Sequence, residues 1–564
     1  MRKTILISAL CGGAIIAASF VGYRLIEQKT TEVMQGVEKQ DERGAYREFV
    51  LKAQAESWQL KAGVEKITAW TFGGTVPGAE LRIQEGQRVK VVLQNSLAQP
   101  VSIHWHGYPV PNEMDGIPGV TQNAVQPGAS FTYEFTASVP GTYWYHSHQD
   151  SANQVDRGLY GALIVEPKAE STTYDRDYTL ILDEWSPEML AAGGESGASG
   201  GGMDHSQHGA NSKADQGEGK QGGSSTGANA DHSQHGANSN AGQGDGKQGE
   251  SSAGANADHS QHGGSESAPA VDHDAMMQQM YNIYTVNGKA GDQIKPLQVK
   301  TGEKVKLRLI NAGYQTHQIN LANQPFRITH VDGQPLLGSP EVSDQLLAIA
   351  PGERYDLELI SKGDNFPILC ANRSTASQDM TVHVEVDGKK DRAYSLPPGE
   401  LPLLDITKYG QAKPIDQNVA YDVERKLTLD NKVIEKDGAQ ETVYTIDGQV
   451  YPDIAPLQVQ KGQQVKLTMT NVGTVDHPMH LHGHFFQVLR KDGKPLQGSP
   501  LLKDTLNVRP GETYEVAFVA NNDGNWMFHC HELHHAAAGM MTTVQYRGYR
   551  PHFTPDPNAG NISE

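Results

Sequence analysis

The sequence predicts an all-β protein made of three β-sandwich modules, the second interrupted by a long polar insertion. Three observations carry this reading. A pair of turn-and-strand elements recurs three times along the 564 residues. Short alternating segments bounded by Gly and Pro-Gly turns outnumber segments with helical periodicity. At roughly 100–200 residues per domain the chain is long enough for three or four cores.

The first repeated element is Glu85-Gly-Gln-Arg-Val-Lys-Val-Val-Leu-Gln-Asn95. It returns as Thr301-Gly-Glu-Lys-Val-Lys-Leu-Arg-Leu-Ile-Asn311 and as Lys461-Gly-Gln-Gln-Val-Lys-Leu-Thr-Met-Thr-Asn471. The second is Gln126-Pro-Gly-Ala-Ser-Phe-Thr-Tyr-Glu-Phe135, with counterparts beginning at Ala350-Pro-Gly and Arg509-Pro-Gly. In each, the turn residues reverse the chain and the alternation gives a half-buried strand. Modules are expected at 48–168, 172–395 and 415–550, after a polar, partly helical lead-in at 23–47.

Between 191 and 272 the chain is Gly, Ser, Ala, Asn, Gln and His, with too little apolar surface to offset ordering entropy. Within it Asp204-His205-Ser-Gln-His208-Gly recurs at Asp231 and Asp258, and His273, Met276, Met277 and Met280 follow. Imidazole and thioether groups suit copper, so this insertion is expected to capture extra copper. A tolerated low-complexity linker is the plain alternative.

The formal charge is -19, with 66 acidic against 47 basic residues and no Lys/Arg stripe, so nucleic acid is not an expected partner. Three cysteines give no disulfide framework. Met1-Arg2-Lys3 followed by the apolar stretch Ile5 to Val21 reads as an export signal or an uncleaved membrane anchor over 1–22. The protein is therefore expected to be exported, to the cell surface, the periplasm or the medium.

Histidines mark two of the three copies. Copy one carries His104-Trp105-His106-Gly107 and Tyr145-His146-Ser147-His148; copy three carries His480-Leu481-His482-Gly483 and His529-Cys530-His531. At the matching places copy two has Gln318-Ile319-Asn320 and Ile368-Leu369-Cys370. In a strand, residues i and i+2 share a face, so each His-x-His pair points one way and Cys530 points the other. Eight imidazoles from two related modules predict a metal site at their interface, with the middle module as a spacer. Cys530, His535 and Met540 supply a thiolate, an imidazole and a thioether, three donors of a blue-copper set. One such copper plus a three-copper cluster would store four electrons, the number that reduction of O2 to two waters requires.

The motifs His-Trp-His-Gly at 104–107, His-Ser-His at 146–148, His-Pro-Met-His-Leu-His-Gly at 477–483 and the Cys530 stretch resemble those of three-domain multicopper oxidases, the family of laccases, cuprous oxidases and copper-resistance oxidases. The resemblance implies cupredoxin-like Greek-key domains and four copper ions. It implies a type 1 copper on His477, Cys530 and His535 with Met540 axial, and a type 2 copper on His104 and His480. His106, His146, His148, His482, His529 and His531 would hold the type 3 pair. Asp115 stands where the family often has a proton-relaying acid, though a turn Asp before Gly116 reads the same way. Ala536 stands where many bacterial members carry Glu; Glu532 is the nearest carboxylate in sequence. His317, His330, His484 and Cys370 are expected to be structural, and His534 is left out of the ligand set. The implied activity couples oxidation of Cu(I), or of phenols as in a laccase, to O2 reduction, with a role in copper tolerance. A copper-sequestering protein acting through the insertion is the reading from another class.

Overall fold

A computed structural model describes residues 31–169, 172–192, 277–371, 375–391, 400–415 and 419–564, apart from positions 278, 323 and 437. The export segment and nearly all of the His-rich insertion lie outside the described residues.

The two repeated elements become hydrogen-bonded antiparallel neighbours in every copy. Arg88–Asn95 pairs with Ser130–Thr136, Lys304–Asn311 with Arg354–Ile360, and Gln464–Asn471 with Thr513–Val519. Along the first of these the alternate residues Val89, Val91 and Leu93 are buried, as period-2 patterning requires. The Asn that closes each strand explains why it ends all three repeats. Asn95 donates to the carbonyls of Gln99 and Val125, Asn311 to those of Gln315 and Ile349, and Asn471 to those of Val475 and Val508. Its own oxygen accepts from the backbone two residues on. One buried side chain thus ties the strand end to the chain entering the second element and fixes the turn between them.

Each copy packs two sheets around one core, as a cupredoxin-like sandwich. In the first, the sheet containing Gly78–Gln84, Tyr160–Glu166, Gly141–His146 and His104–His106 covers the one containing Gly44–Trp58, Arg88–Asn95 and Ser130–Thr136. In the third, Leu457–Val459, Met541–Tyr546, Asn525–Cys530, His477–Leu481 and Thr505–Val508 form the five-stranded sheet. The middle copy has the same five-stranded sheet, with His317–Asn320 beside Phe366–Cys370.

The lead-in differs from expectation. Val33–Met34, Val37–Asp41 and the start of Gly44–Trp58 are strands, the last running through the position taken as the module's first residue. The polar residues that suggested a helix face solvent from an edge hairpin, where Arg88 and Lys90 hold Asp41 from the neighbouring strand.

Candidate metal centre

Strand register brings the His pairs together. His104 lies opposite His146, and His480 opposite His529. Their rings, with those of His106, His148, His482 and His531, form one buried cluster between the first and third sandwiches. His104 stacks on His482 and His106 on His480, each at 3.9 Å between centroids. His531 lies 4.5 Å from His106 and 5.4 Å from His146; His148 lies 5.4 Å from His529. Burial, reinforced by neighbouring rings, pushes His106, His146, His148, His482, His529 and His531 well below the ordinary imidazole value. The rings are thereby kept neutral, the form that binds a metal.

Alternation sends Cys530 to the other face of the strand Asn525–Cys530. There its Sγ lies 3.8 Å from His477 Nδ1 and 3.7 Å from His535 Nδ1. His535 comes from the short helix Leu533–Ala537, which Glu532 caps by accepting from the His535 N–H at 2.7 Å. Met540 is buried, and its backbone accepts from Cys530 and donates to His535. Burial pushes the Cys530 thiol well up, so its ionised form needs a cation beside it.

The donor atoms fit copper. Nε2 of His104, His146 and His480 and both ring nitrogens of His531 are buried without a hydrogen-bond partner. Each such atom costs about 1–3 kcal/mol if left unsatisfied, and a metal ion satisfies several at once.

Asp115 sits where two of these rings meet. Its Oδ2 is 3.0 Å from His482 Nδ1, its Oδ1 is 3.2 Å from His104 Nδ1, and its carbonyl accepts from His104 Nδ1 at 2.8 Å. Gly116 allows this. It has φ +82°, and a Cβ there would lie 1.7 Å from the Ile103 carbonyl oxygen.

The middle sandwich is more than a spacer. Its Arg354, fully buried, grips Asp504 through two bonds of 2.6 and 2.7 Å. The Asp504 carbonyl accepts from His480 Nδ1 at 2.9 Å, and its carboxylate lies 3.4 Å from His106 Nε2. The loop at Gly352 lies so close that a Cβ there would sit 2.9 Å from the His531 ring. Motifs could not reveal this, because Arg354 and Asp504 are 150 residues apart.

Glu564 was also missed. Its Oε1 lies 3.1 Å from His148 Nε2 and 3.3 Å from His529 Nδ1, its Oε2 accepts from Ser151, and burial pushes its carboxyl up to about 8. The preceding Ser563 carbonyl accepts from His148 Nδ1. Nothing in Asn-Ile-Ser-Glu marks it as a site segment.

Other histidines stay outside. His484 turns to the Tyr546 hydroxyl at 2.6 Å. His534 bonds Glu532 at 2.7 Å and lies 3.3 Å from Asp156. Glu532 lies 3.1 Å from His535 Nε2, on the Cys530 side.

A thiol with two imidazoles on one side of the strand Asn525–Cys530, and a cluster of eight imidazoles from the first and third sandwiches on the other, define a copper oxidase. Three family models described as "Multicopper oxidase" match residues 52–170, 256–390 and 418–548. The chain is 29% identical over 506 residues to the multicopper oxidase MmcO of Mycobacterium tuberculosis, covering 86% of this chain and 85% of that protein. It is 25% identical to a copper resistance protein A homolog of Pseudomonas syringae pv. tomato, covering 85% and 89%. A multi-copper oxidase from Pseudomonas thermotolerans matches with a TM-score of 0.59 and 25% identity over 88% of this chain and 98% of that one. The chain belongs to the multicopper oxidase family: a copper-dependent oxidoreductase that oxidises a donor and reduces O2.

Proposed function

We propose that the donor is Cu(I), oxidised at a type 1 copper on His477, Cys530, His535 and Met540, and that the protein serves copper tolerance outside the cytoplasm. The observation that carries this reading is the cavity of about 320 Å³ beside His535. Asp476 and Glu532 line it with Met277, the thioether that follows the His-rich insertion. Two carboxylates favour a cation, and a thioether favours Cu(I). The copper-resistance names of two relatives support the same reading.

In this reading His104 and His480 hold a type 2 copper. His106, His146 and His531 hold one type 3 ion, and His148, His482 and His529 hold the other. Bound copper supplies four one-electron stores. The chain supplies the rest. Cys530 joins the two centres covalently through its neighbours His529 and His531. Asp115 orients His104 and His482 and places its carboxylate within reach of the cluster, where it can relay protons. Glu564 offers a second proton-holding carboxyl on the His148 side. The His-rich insertion collects copper for the donor cavity.

O2 uptake with Cu(I) and with a phenol tests this. Asp476→Asn with Glu532→Gln should raise KM for Cu(I) more than for the phenol. Equal effects, or a phenol preference in the unaltered protein, would make it a laccase. No uptake with either donor would favour copper sequestration.

A further inference from the structure

The register of the middle sandwich differs from the motif matching. Ile319 pairs with Cys370 there, as Met479 pairs with Cys530 in the third sandwich. Phe366 pairs with Val384, as Trp526 pairs with Val544. Residue 311 therefore stands against 471, 317 against 477 and 370 against 530, an offset of 160 throughout. Gln318-Ile319-Asn320 are the counterparts of Pro478-Met479-His480, and Cys370, not Leu369, is the counterpart of Cys530. The same offset puts Met380 at the place of Met540 and Thr375 at that of His535.

Three of the four type 1 donors are thus repeated in a module read as metal-free. His317, Cys370 and Met380 are all buried. His317 presents the same ring nitrogen to the thiol as its counterpart does: Nδ1 is 3.4 Å from Cys370 Sγ, against 3.8 Å between His477 Nδ1 and Cys530 Sγ. Across the ring, Glu184 lies 2.5 Å from His317 Nε2. Held by that carboxylate at Nε2, the ring keeps Nδ1 facing the thiol, the arrangement that orients metal-bound histidines. Burial alone would lower the imidazole, but the Glu184 charge outweighs it and pushes it up to about 10, so a metal must displace the Nδ1 proton.

We propose that His317, Cys370 and Met380 form a further mononuclear site that binds one Cu(I) ion, with Glu184 as the positioning residue. One thiolate, one thioether and a single imidazole are a softer set than the type 1 donors, and soft donors select Cu(I). On binding, the Cys370 S–H and His317 Nδ1–H bonds break, sulfur–copper and nitrogen–copper bonds form, and both protons leave to solvent with no change of oxidation state. The site adjoins the donor cavity. Thr316, next to His317, donates to Asp476, next to His477, at 3.2 Å, and both line that cavity.

The test is an anaerobic Cu(I) titration of the full chain, read by near-ultraviolet thiolate-to-copper absorption, in Cys530→Ser protein and in Cys530→Ser/Cys370→Ser protein. The first should show one equivalent of a band that the second lacks; Cys11 is common to both. Glu184→Gln and Met380→Leu keep the thiol. Against a competing Cu(I) chelator, Glu184→Gln should weaken this site about 10–100-fold. Superimposable titrations, or unchanged affinity in both thiol-retaining variants, would reduce the trio to a structural hydrogen bond and its packing. Blue absorption of Cys370→Ser protein reports the type 1 centre separately, so failure of either reading is distinguishable.

Discussion

Replacing Arg354 by Met tests how the middle sandwich holds the cluster. Arg354 and Asp504 have fully buried side chains and share two hydrogen bonds. The guanidinium also donates to the carbonyls of Thr142, at 3.2 Å, and Gly352, at 3.1 Å, so it links the first sandwich and the Gly352 loop to Asp504. Removing one partner of a buried pair leaves the other uncompensated, at a cost of about 3–5 kcal/mol. Among the described residues, the Thr505 hydroxyl, at 2.8 Å, and the neighbouring His106 and His480 rings would be left facing the Asp504 carboxylate. The variant should lower the unfolding free energy of the copper-free protein by that amount, read from denaturant unfolding. On reconstitution it should lose cluster copper while the blue centre forms, because His477 and Cys530 point to the other face of their strands and His535 comes from the helix Leu533–Ala537 on that side. Asp504→Leu in the same protein should recover much of the stability, since a well-packed apolar pair can replace a buried ion pair. A loss below about 1 kcal/mol, with full copper content, would refute the claim that this pair positions His480 and His106.

Three further outcomes are expected. Cys530→Ser should abolish blue absorption and retain three of the four coppers by metal analysis; retained blue colour would place the type 1 thiolate elsewhere. Gly116→Ala should push the Asp115 loop or the His104 strand apart, because the new Cβ meets backbone at 1.7 Å. Displacement of about 1 Å costs on the order of 10²-fold in turnover, so O2 uptake near that of the unaltered protein would contradict the geometry. Asp177 lies between Arg82 of the first sandwich and Arg308 of the second, at 2.9 and 2.8 Å. Burial alone would raise its carboxyl, but the two guanidinium groups outweigh burial and hold it well below the usual range. Its stabilisation is therefore present above the unfolded value of about 3.9 and lost as pH falls below it. Asp177→Asn should cost about 3 kcal/mol at neutral pH and converge with the unaltered protein in acid; a pH-independent gap in thermal unfolding would exclude the ionic contribution.

The sequence by itself determined the three sandwiches, and its motifs named the twelve histidine, cysteine and methionine residues that the family resemblance implies as copper donors. Local periodicity carries the sandwiches and the parting of faces: a strand alternates every two residues, so His529 and His531 must part from Cys530. The repeat even encodes why its strands end in Asn, although the reason appears only once that side chain is seen bracing two carbonyls. The same patterning misread 33–47, because a polar edge hairpin and a polar helix expose similar residues. It also slipped the register of the middle copy, hiding the approach of His317 to Cys370, although the spacing of Asn311 and Asn471 carried the signal. What tertiary structure alone decided is which distant groups surround the donors. Asp504, Glu184 and Glu564 reach their histidines, and Arg354 reaches Asp504, across 24 to 416 residues of chain, and no local pattern records a contact formed by packing separate sheets together.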